Sequence, residues 1–259
     1  MRRGLAPSRE RAQADISAGR VLVAGAVASK AAHQVAPHQP IELVGPAPRF
    51  VGRGGEKLDA ALDAFGLDPR GWRCFDAGAS TGGFTDCLLQ RGATAVVAVD
   101  VGYGQLHERL RSDARVHNLE RTNIREVEPS GVGGPVDLVV ADLSFISLTT
   151  VAAALVDLVR PGGSLVLLVK PQFEAGREEA ARGKGVIRSP VIWRRVLGTV
   201  AAAVSHQSAT MMGAMTSPLT GADGNVEFLV HAVKGAGDGV RTPDLDEVVA
   251  AAVAAHGPV

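Results

Sequence analysis

An α/β fold built on a doubly wound, mostly parallel sheet of seven strands is predicted by three observations. Beyond Lys57, apolar runs of strand length alternate with longer amphipathic segments. One of those runs, Arg73-Cys74-Phe75, leads into the glycine-rich stretch DAGASTGGFTD (76–86) and then a helical pattern, which is the order of a nucleotide-type cofactor loop. Ahead of both lies a small segment of different composition and charge, expected to form an α+β domain of its own.

Taken in order, the first segment holds a helix candidate with Ser8 at the N-cap position and Gly19 closing it. Two short apolar runs around Gly25, from Val21 to Ala28, read as a hairpin. Pro37, Pro40, Gly45, Pro46 and Pro48 punctuate a linker, so the expected division is 1–44, a linker at 45–54, and a second domain at 55–259. In that second domain strands are predicted at 73–76, 95–101, 115–119, 136–142 and 164–170, with helices at 55–66, 81–91, 104–112, 149–159 and 190–205. Strands at 208–215 and 225–233 are joined by a segment too short for a crossover helix, which makes that pair antiparallel. A last helix is predicted at 244–255.

The glycines at 78, 82 and 83 do not have the spacing of dinucleotide binders. They allow a tight turn and close backbone approach, while the N–H groups opening the next helix present positive charge. An acidic strand end, Asp76, before such a loop suits S-adenosylmethionine, which offers an ammonium and a carboxylate. A glycine turn with no ligand is the bland alternative.

In open α/β sheets, ligands bind beyond the carboxyl ends of the strands. Asp100 sits at one such end and suits the ribose hydroxyls of the cofactor, or a helix N-cap. Thr122 and Asn123 suit the adenine edge, or an Asx turn. Asp142 and Lys170 follow apolar runs, where charges are costly unless paired or used; they form a site or a structural ion pair. The glycine-containing loop that follows Pro171 is expected to close over substrate.

No window approaches the roughly 18 apolar residues that a spanning helix needs. The start has arginines without an apolar stretch behind them, so it does not read as a secretory signal and a cytoplasmic protein is expected. Cys74 and Cys87 have no metal-ligand spacing and read as buried small hydrophobes; no metal is expected. The net charge of zero hides an asymmetry: residues 1–57 carry nine Lys or Arg against four Asp or Glu, giving +5, and the remainder carries 18 against 23, giving −5. A basic head suits a phosphate backbone, or is a solvated face.

Several blocks in this chain together resemble one family. They are VGRGGEKL (51–58), DAGASTGGFTD, DVGYGQL (100–106), LERTN (119–123), ADLSFISL (141–148), LLVKPQFEAGR (167–177) and GNVEF (224–228). In that order they resemble the TlyA, or haemolysin-A-like, ribosomal RNA 2′-O-methyltransferases, and the head resembles the S-four-type RNA-binding module found before their FtsJ-like catalytic domain. The module's first helix is expected to be short, because Met1 falls partway along the family's pattern. Phe50 stands where some members carry Trp or Tyr, and Gly52 where Ser is common.

The resemblance implies a catalytic set of Lys57, Asp142, Lys170 and Glu227. Without it, Lys57 reads as part of a solvated helix face and Glu227 as part of an edge strand. It implies a cofactor site of Asp76, Gly78, Ala79, Ser80, Thr81, Gly82, Gly83, Phe84, Thr85, Asp100, Val101, Thr122, Asn123, Asp142 and Leu143. Phosphate contacts are expected from Arg2, Arg3, Arg9, Arg20, Lys30 and Arg53. The implied reaction is S-adenosylmethionine-dependent 2′-O-methylation of cytidine in 16S ribosomal RNA, 23S ribosomal RNA or both; the implied partner is ribosomal RNA or a ribosomal subunit, with no membrane and no obligate protein partner. Lys170 would accept the hydroxyl proton as a neutral base, or remain charged and stabilise the alkoxide. Rival readings are a non-catalytic RNA-binding protein and a membrane-active haemolysin.

Overall fold

The computed structural model describes the chain except for residues 1, 2, 7, 8, 18, 29, 33, 46, 47, 222, 237–241, 258 and 259, and except for the side chains of residues 10, 11, 14 and 17. The chain divides into two compact units, Met1–Arg49 and Phe50–Val259.

The first unit contains helix α1 (Arg9–Ser17) and strands β1 (Val21–Val23), β2 (Ala26–Val27) and β3 (Ile41–Leu43). Gly19 N–H donates to the Ile16 carbonyl at 3.0 Å where α1 ends, while the predicted cap at Ser8 lies outside the described residues. Ala24 and Gly25 both have positive φ, 48° and 80°, as a two-residue hairpin turn between β1 and β2 requires. Strand β3 also pairs with β1, antiparallel, with Ile41 opposite Val23. This strand lies at the end of the expected first domain, just after Pro40, where no strand was predicted. Three residues after a proline leave no alternation to read, and only pairing with β1 makes them a strand. Val21, Val23 and Ala28 form the small core, with Ile16, Val35 and Ile41 against it.

The second unit runs α2 (Gly54–Ala64), β4 (Arg73–Ala77), α3 (Gly83–Gln90), β5 (Ala95–Val99), α4 (Glu108–Arg111), β6 (Val116–Leu119), β7 (Val136–Ala141) and α5 (Leu148–Leu158). It continues through β8 (Val159–Val169), α6 (Pro171–Glu174), α7 (Arg177–Arg182), α8 (Pro190–Ser205), β9 (Ala209–Thr216), β10 (Phe228–Lys234) and α9 (Leu245–His256). The sheet order is β6-β5-β4-β7-β8-β10-β9. Strands β4 to β8 run parallel to one another, and β10 is antiparallel to both β8 and β9. The strand order reverses between β4 and β7, which places the ligand crevice of such a sheet at their carboxyl ends.

Strand alternation feeds two cores. Phe75, Val97, Leu165, Leu167 and Val169 face the layer of α5, α8 and α9, while Cys74, Val96, Val166 and Leu168 face α2 and α3. Trp193 is fully buried edge-on to Phe228, and its indole N–H donates to the Ile187 carbonyl at 3.0 Å. Cys74 and Cys87 are both buried, and neither is in a disulfide. Burial pushes the Cys74 thiol far above its ordinary range, helped by the charges of Asp137 and Asp76.

Three expectations need correction. The helix predicted at 104–112 is only Glu108–Arg111, because Gly102 N–H turns back to the Asp100 carboxylate at 2.6 Å and Gly104 has φ 70°. The strand predicted from 225 begins at Phe228. Asn225 instead accepts from Ile187 N–H at 2.9 Å and donates to the Gly185 carbonyl at 2.8 Å, which ties this segment to the loop before α8. The loop after Lys170 contains two helical turns, α6 and α7. Pro171 fits the first position of α6, where a missing N–H costs nothing.

Candidate active site

Two ion pairs form at the carboxyl end of the sheet. Lys170, the residue after β8, donates to Asp142 Oδ1 at 2.6 Å and to the Ser144 hydroxyl at 2.9 Å. Asp142 follows β7, so adjacent parallel strands deliver both charges. Lys57 donates to Glu227 Oε2, and both side chains are buried. Lys57 lies on the inward stripe of α2 with Leu58 and Ala61, not on a solvated face. Glu227 lies just before β10, an interior strand, not an edge.

The sheet register explains why the two pairs are neighbours. Phe228 is opposite Val169 in the antiparallel pairing of β10 with β8, so one step further along come Glu227 and Lys170. Helix α2 meets the loop side of the same place: a Cβ on Gly54 would lie 3.5 Å from Asp142 Oδ2 and 3.3 Å from the Phe84 ring. The structure therefore brings together all four residues of the expected set.

The glycine-rich loop connects β4 to α3. Gly78 has φ 83°, and a Cβ there would lie 2.7 Å from the Asp142 carbonyl, so only glycine lets the loop approach β7 this closely. Gly82 caps α3 in the left-handed conformation, and Gly83, Phe84 and Thr85 open the helix, all buried. Ala79 is buried, Thr81 is half-buried, and Ser80 is exposed with φ 48°.

Asp76 is completely buried. Its Oδ2 accepts from the Thr85 hydroxyl at 2.6 Å, while Oδ1 has no partner. Burial raises its carboxyl from 3.8 to about 7, opposed by the Thr85 hydrogen bonds and aided by the charges of Asp142 and Asp100.

Asp100 accepts from Ser80 N–H at 2.8 Å with one oxygen and from Gly102 N–H with the other, so it joins two loops rather than capping a helix. Val101 is exposed beside it, and Leu143 is half-buried next to Asp142. Thr122 Oγ1 donates to the Glu120 carbonyl at 3.1 Å, and Asn123 Oδ1 accepts from Arg125 N–H at 3.2 Å, an Asx turn opening a short 3-10 helix.

Of the expected phosphate contacts, Arg9, Lys30 and Arg53 are exposed, and Arg2 lies outside the described residues. Arg3 donates to the carbonyls of Ala36, Pro37 and Gln39, which knits the small unit together. Arg20 sits 3.7 Å from Asp15.

Three polar residues beside the site were not anticipated from the sequence. Ser144 holds Lys170, as described above. Glu174 accepts from Leu148 N–H at 2.7 Å and from the Ser147 hydroxyl at the start of α5, and burial raises its carboxyl. Asp86 accepts from Val51 N–H and from Arg109 Nη2, each at 2.8 Å. Their only signal in the sequence is that they lie within the blocks ADLSFISL, LLVKPQFEAGR and DAGASTGGFTD. Among the described residues there is no cluster able to hold a metal ion, and no helix is long and apolar enough to cross a membrane.

A glycine loop at the switch point of a seven-stranded sheet with an antiparallel final pair defines an α/β domain of the methyltransferase type. The chain belongs to the FtsJ-like methyltransferase family, whose model matches residues 50–234. The model of the S4 domain matches residues 2–41. The 16S/23S rRNA (cytidine-2′-O)-methyltransferase TlyA of Mycobacterium tuberculosis is 49% identical over 231 residues, covering 89% of this chain and 86% of that protein. Hemolysin A of Brachyspira hyodysenteriae is 38% identical, over 88% of this chain and 95% of that one. A solved structure from Streptococcus thermophilus, provisionally described as a hemolysin, superposes with a TM-score of 0.79 at 40% identity, covering 97% of this chain and 92% of that one.

Proposed function

We propose that this chain transfers a methyl group from S-adenosylmethionine to the 2′-hydroxyl of a cytidine ribose in 16S or 23S ribosomal RNA. The observation that carries this reading is the meeting of Lys57–Glu227 and Lys170–Asp142 beside a glycine-rich loop at the carboxyl end of one sheet. It is supported by the M. tuberculosis relative, which is named for that reaction.

The residues present fit the methyl donor. Asp76 Oδ1 is a buried acceptor without a partner, and the bare Cα of Gly78 leaves room where a side chain would fill the cradle. Residues Asp76 to Thr85 would hold the amino-acid part, and Asp100 and Val101 the ribose. Each Asp100 oxygen still has a lone pair after accepting its loop N–H. Thr122 and Asn123 would face the adenine, and Asp142 and Leu143 the reacting end. When bound, S-adenosylmethionine supplies a methyl group on a positively charged sulfur.

The protein's own task is to prepare the nucleophile. A ribose hydroxyl attacks poorly until its proton is withdrawn, and its oxygen must lie in line with the methyl group. Lys170 is placed to receive or polarise that proton at Nζ, and Asp142 fixes the amine. A charged Lys170 would instead stabilise the developing oxyanion. Lys57 and Glu227, paired and buried, fix charge beside them without needing solvent.

In this reading residues 1–44 deliver RNA, 45–54 connect, and 55–259 carry the chemistry. The head's arginines and Lys30 would meet phosphates, as would Arg53. A ribosomal RNA substrate, as in the name of the M. tuberculosis relative, supports a cytoplasmic location in this reading.

Calorimetry with S-adenosylmethionine, followed by mapping of 2′-O-methyl sites in ribosomal RNA, tests the proposal. Lys170→Ala should abolish transfer and leave donor affinity largely intact. Absence of donor binding by the wild type sinks the reading, and wild-type turnover by Lys170→Ala removes that residue from the mechanism.

A further inference from the structure

We infer that Ser144 is a positioning residue for the Lys170 amine, and that Glu174 holds in place the loop that carries Ser144. The inference deepens the reading above and rests on it. An amine nitrogen offers three directions besides its own carbon. Asp142 Oδ1 at 2.6 Å and Ser144 Oγ at 2.9 Å take two of them. The third is left for the ribose hydroxyl, as a lone pair if the amine is neutral and as an N–H if it is charged. With Asp142 as the sole partner, the flexible lysine chain can still swing the amine about the line from Nζ to Oδ1; a second partner fixes where the third direction points.

Both partners sit two residues apart on one loop, so the angle between them is set by that loop and not by the flexible lysine chain. The loop is held in an uncommon shape: Phe145 has φ 65°, which an aromatic residue seldom adopts. Such a conformation persists where its surroundings over-determine it. They do so here. Glu174, four residues after Lys170, accepts from Leu148 N–H at 2.7 Å and from the Ser147 hydroxyl. Ser147 Oγ in turn accepts from Thr149 N–H at 3.1 Å at the start of α5. The segment from Asp142 to Leu148 is therefore gripped at one end by Lys170 and at the other by Glu174. Between these grips the Phe145 and Phe173 rings lie 5.2 Å apart.

In the transfer, the ribose oxygen forms the bond to the methyl carbon and the carbon–sulfur electron pair returns to sulfur. The hydroxyl proton leaves to the amine or, when the amine is already charged, to water. Ser144 exchanges no proton in this scheme; it aims the group that does.

The test compares wild type, Ser144→Ala, Ser144→Thr, Glu174→Gln and Glu174→Ala in methyl transfer to ribosomal RNA at saturating donor. An inactive wild type overturns the proposed function and this inference together. With an active wild type, Ser144→Ala should lose roughly 10- to 100-fold in kcat while KM for the donor stays within about twofold. Ser144 is exposed, so its variants should melt with the wild type. Ser144→Thr keeps the hydroxyl and should restore most of the rate. Glu174→Gln keeps an acceptor for Leu148 N–H and should fall between wild type and Glu174→Ala in kcat. An unchanged kcat in Ser144→Ala, or a Thr variant as slow as Ala, overturns the role of Ser144 and leaves the proposed function standing. A Glu174→Ala protein with lowered Tm and undiminished kcat reduces Glu174 to a structural cap.

Discussion

Lys57 and Glu227 are 170 positions apart in the chain and meet as an ion pair, with 6% and 3% of their surfaces exposed. Removing one partner strands the other charge in the interior, so Lys57→Ala and Glu227→Ala should each cost about 3–5 kcal/mol. Replacing both together, as Lys57→Met with Glu227→Leu, should recover most of that stability, because neither desolvated charge remains. Methyl transfer should be absent from all three proteins. Urea denaturation and incorporation of labelled methyl give the two readouts. A double variant as unstable as the single ones would show that other groups share the pair's charge.

Asp76 makes stability depend on pH in a defined direction. Its folded value of about 7 lies above the ordinary 3.8. Between the two, the native chain keeps a proton that the unfolded chain has released, so this group's contribution falls as pH rises from about 4 to 7 and stays low above that. Asp76→Asn removes the buried charge. Its gain in Tm should be larger at pH 8 than at pH 5, while donor affinity drops. Equal gains at both values would contradict a buried titrating carboxyl.

Gly78→Ala should damage the cofactor loop. The new Cβ meets the Asp142 carbonyl at 2.7 Å, and φ of 83° is strained for any side chain. A stability loss of about 1–3 kcal/mol is expected, together with a loss of donor affinity measured by calorimetry. Wild-type affinity would remove the loop from the donor site.

For the basic head, the structure changes which substitutions are informative. Arg3 bonds three carbonyls of its own unit, so replacing it perturbs folding as well as charge. Arg9 and Lys30 are exposed and suit the test better. Their replacement by Ala should weaken RNA binding and lower the slope of log affinity against log salt by about 1 per lost phosphate contact. An unchanged slope would mean that these charges are a solvated face.

Much of the catalytic unit was legible because its signals are local. Apolar runs near 95–99, 136–141 and 164–169 are strands that alternate between two cores, and the Asp76–Asp86 loop punctuates the passage from β4 to α3. Where the signal was weak, the reading failed in consistent ways. The predicted helix at 104–112 shrank to Glu108–Arg111 because the Asp100 carboxylate, outside that segment, captures Gly102 N–H. Strand β3 was missed because only β1 gives its three residues a partner. Asn225 looked like strand, yet its side chain serves the backbone of Gly185 and Ile187 about 40 residues away.

The sequence by itself determined the fold class, the cofactor-type loop and the acidic and basic strand ends at Asp142 and Lys170, since each depends on residue order within a short stretch. Only the tertiary structure decided that Lys57 turns inward to Glu227, that Ser144 shares the Lys170 amine with Asp142, and that Glu174 locks the intervening loop. Those contacts join residues 26 to 170 positions apart, and their partners are set by sheet register and helix packing, which no local pattern encodes.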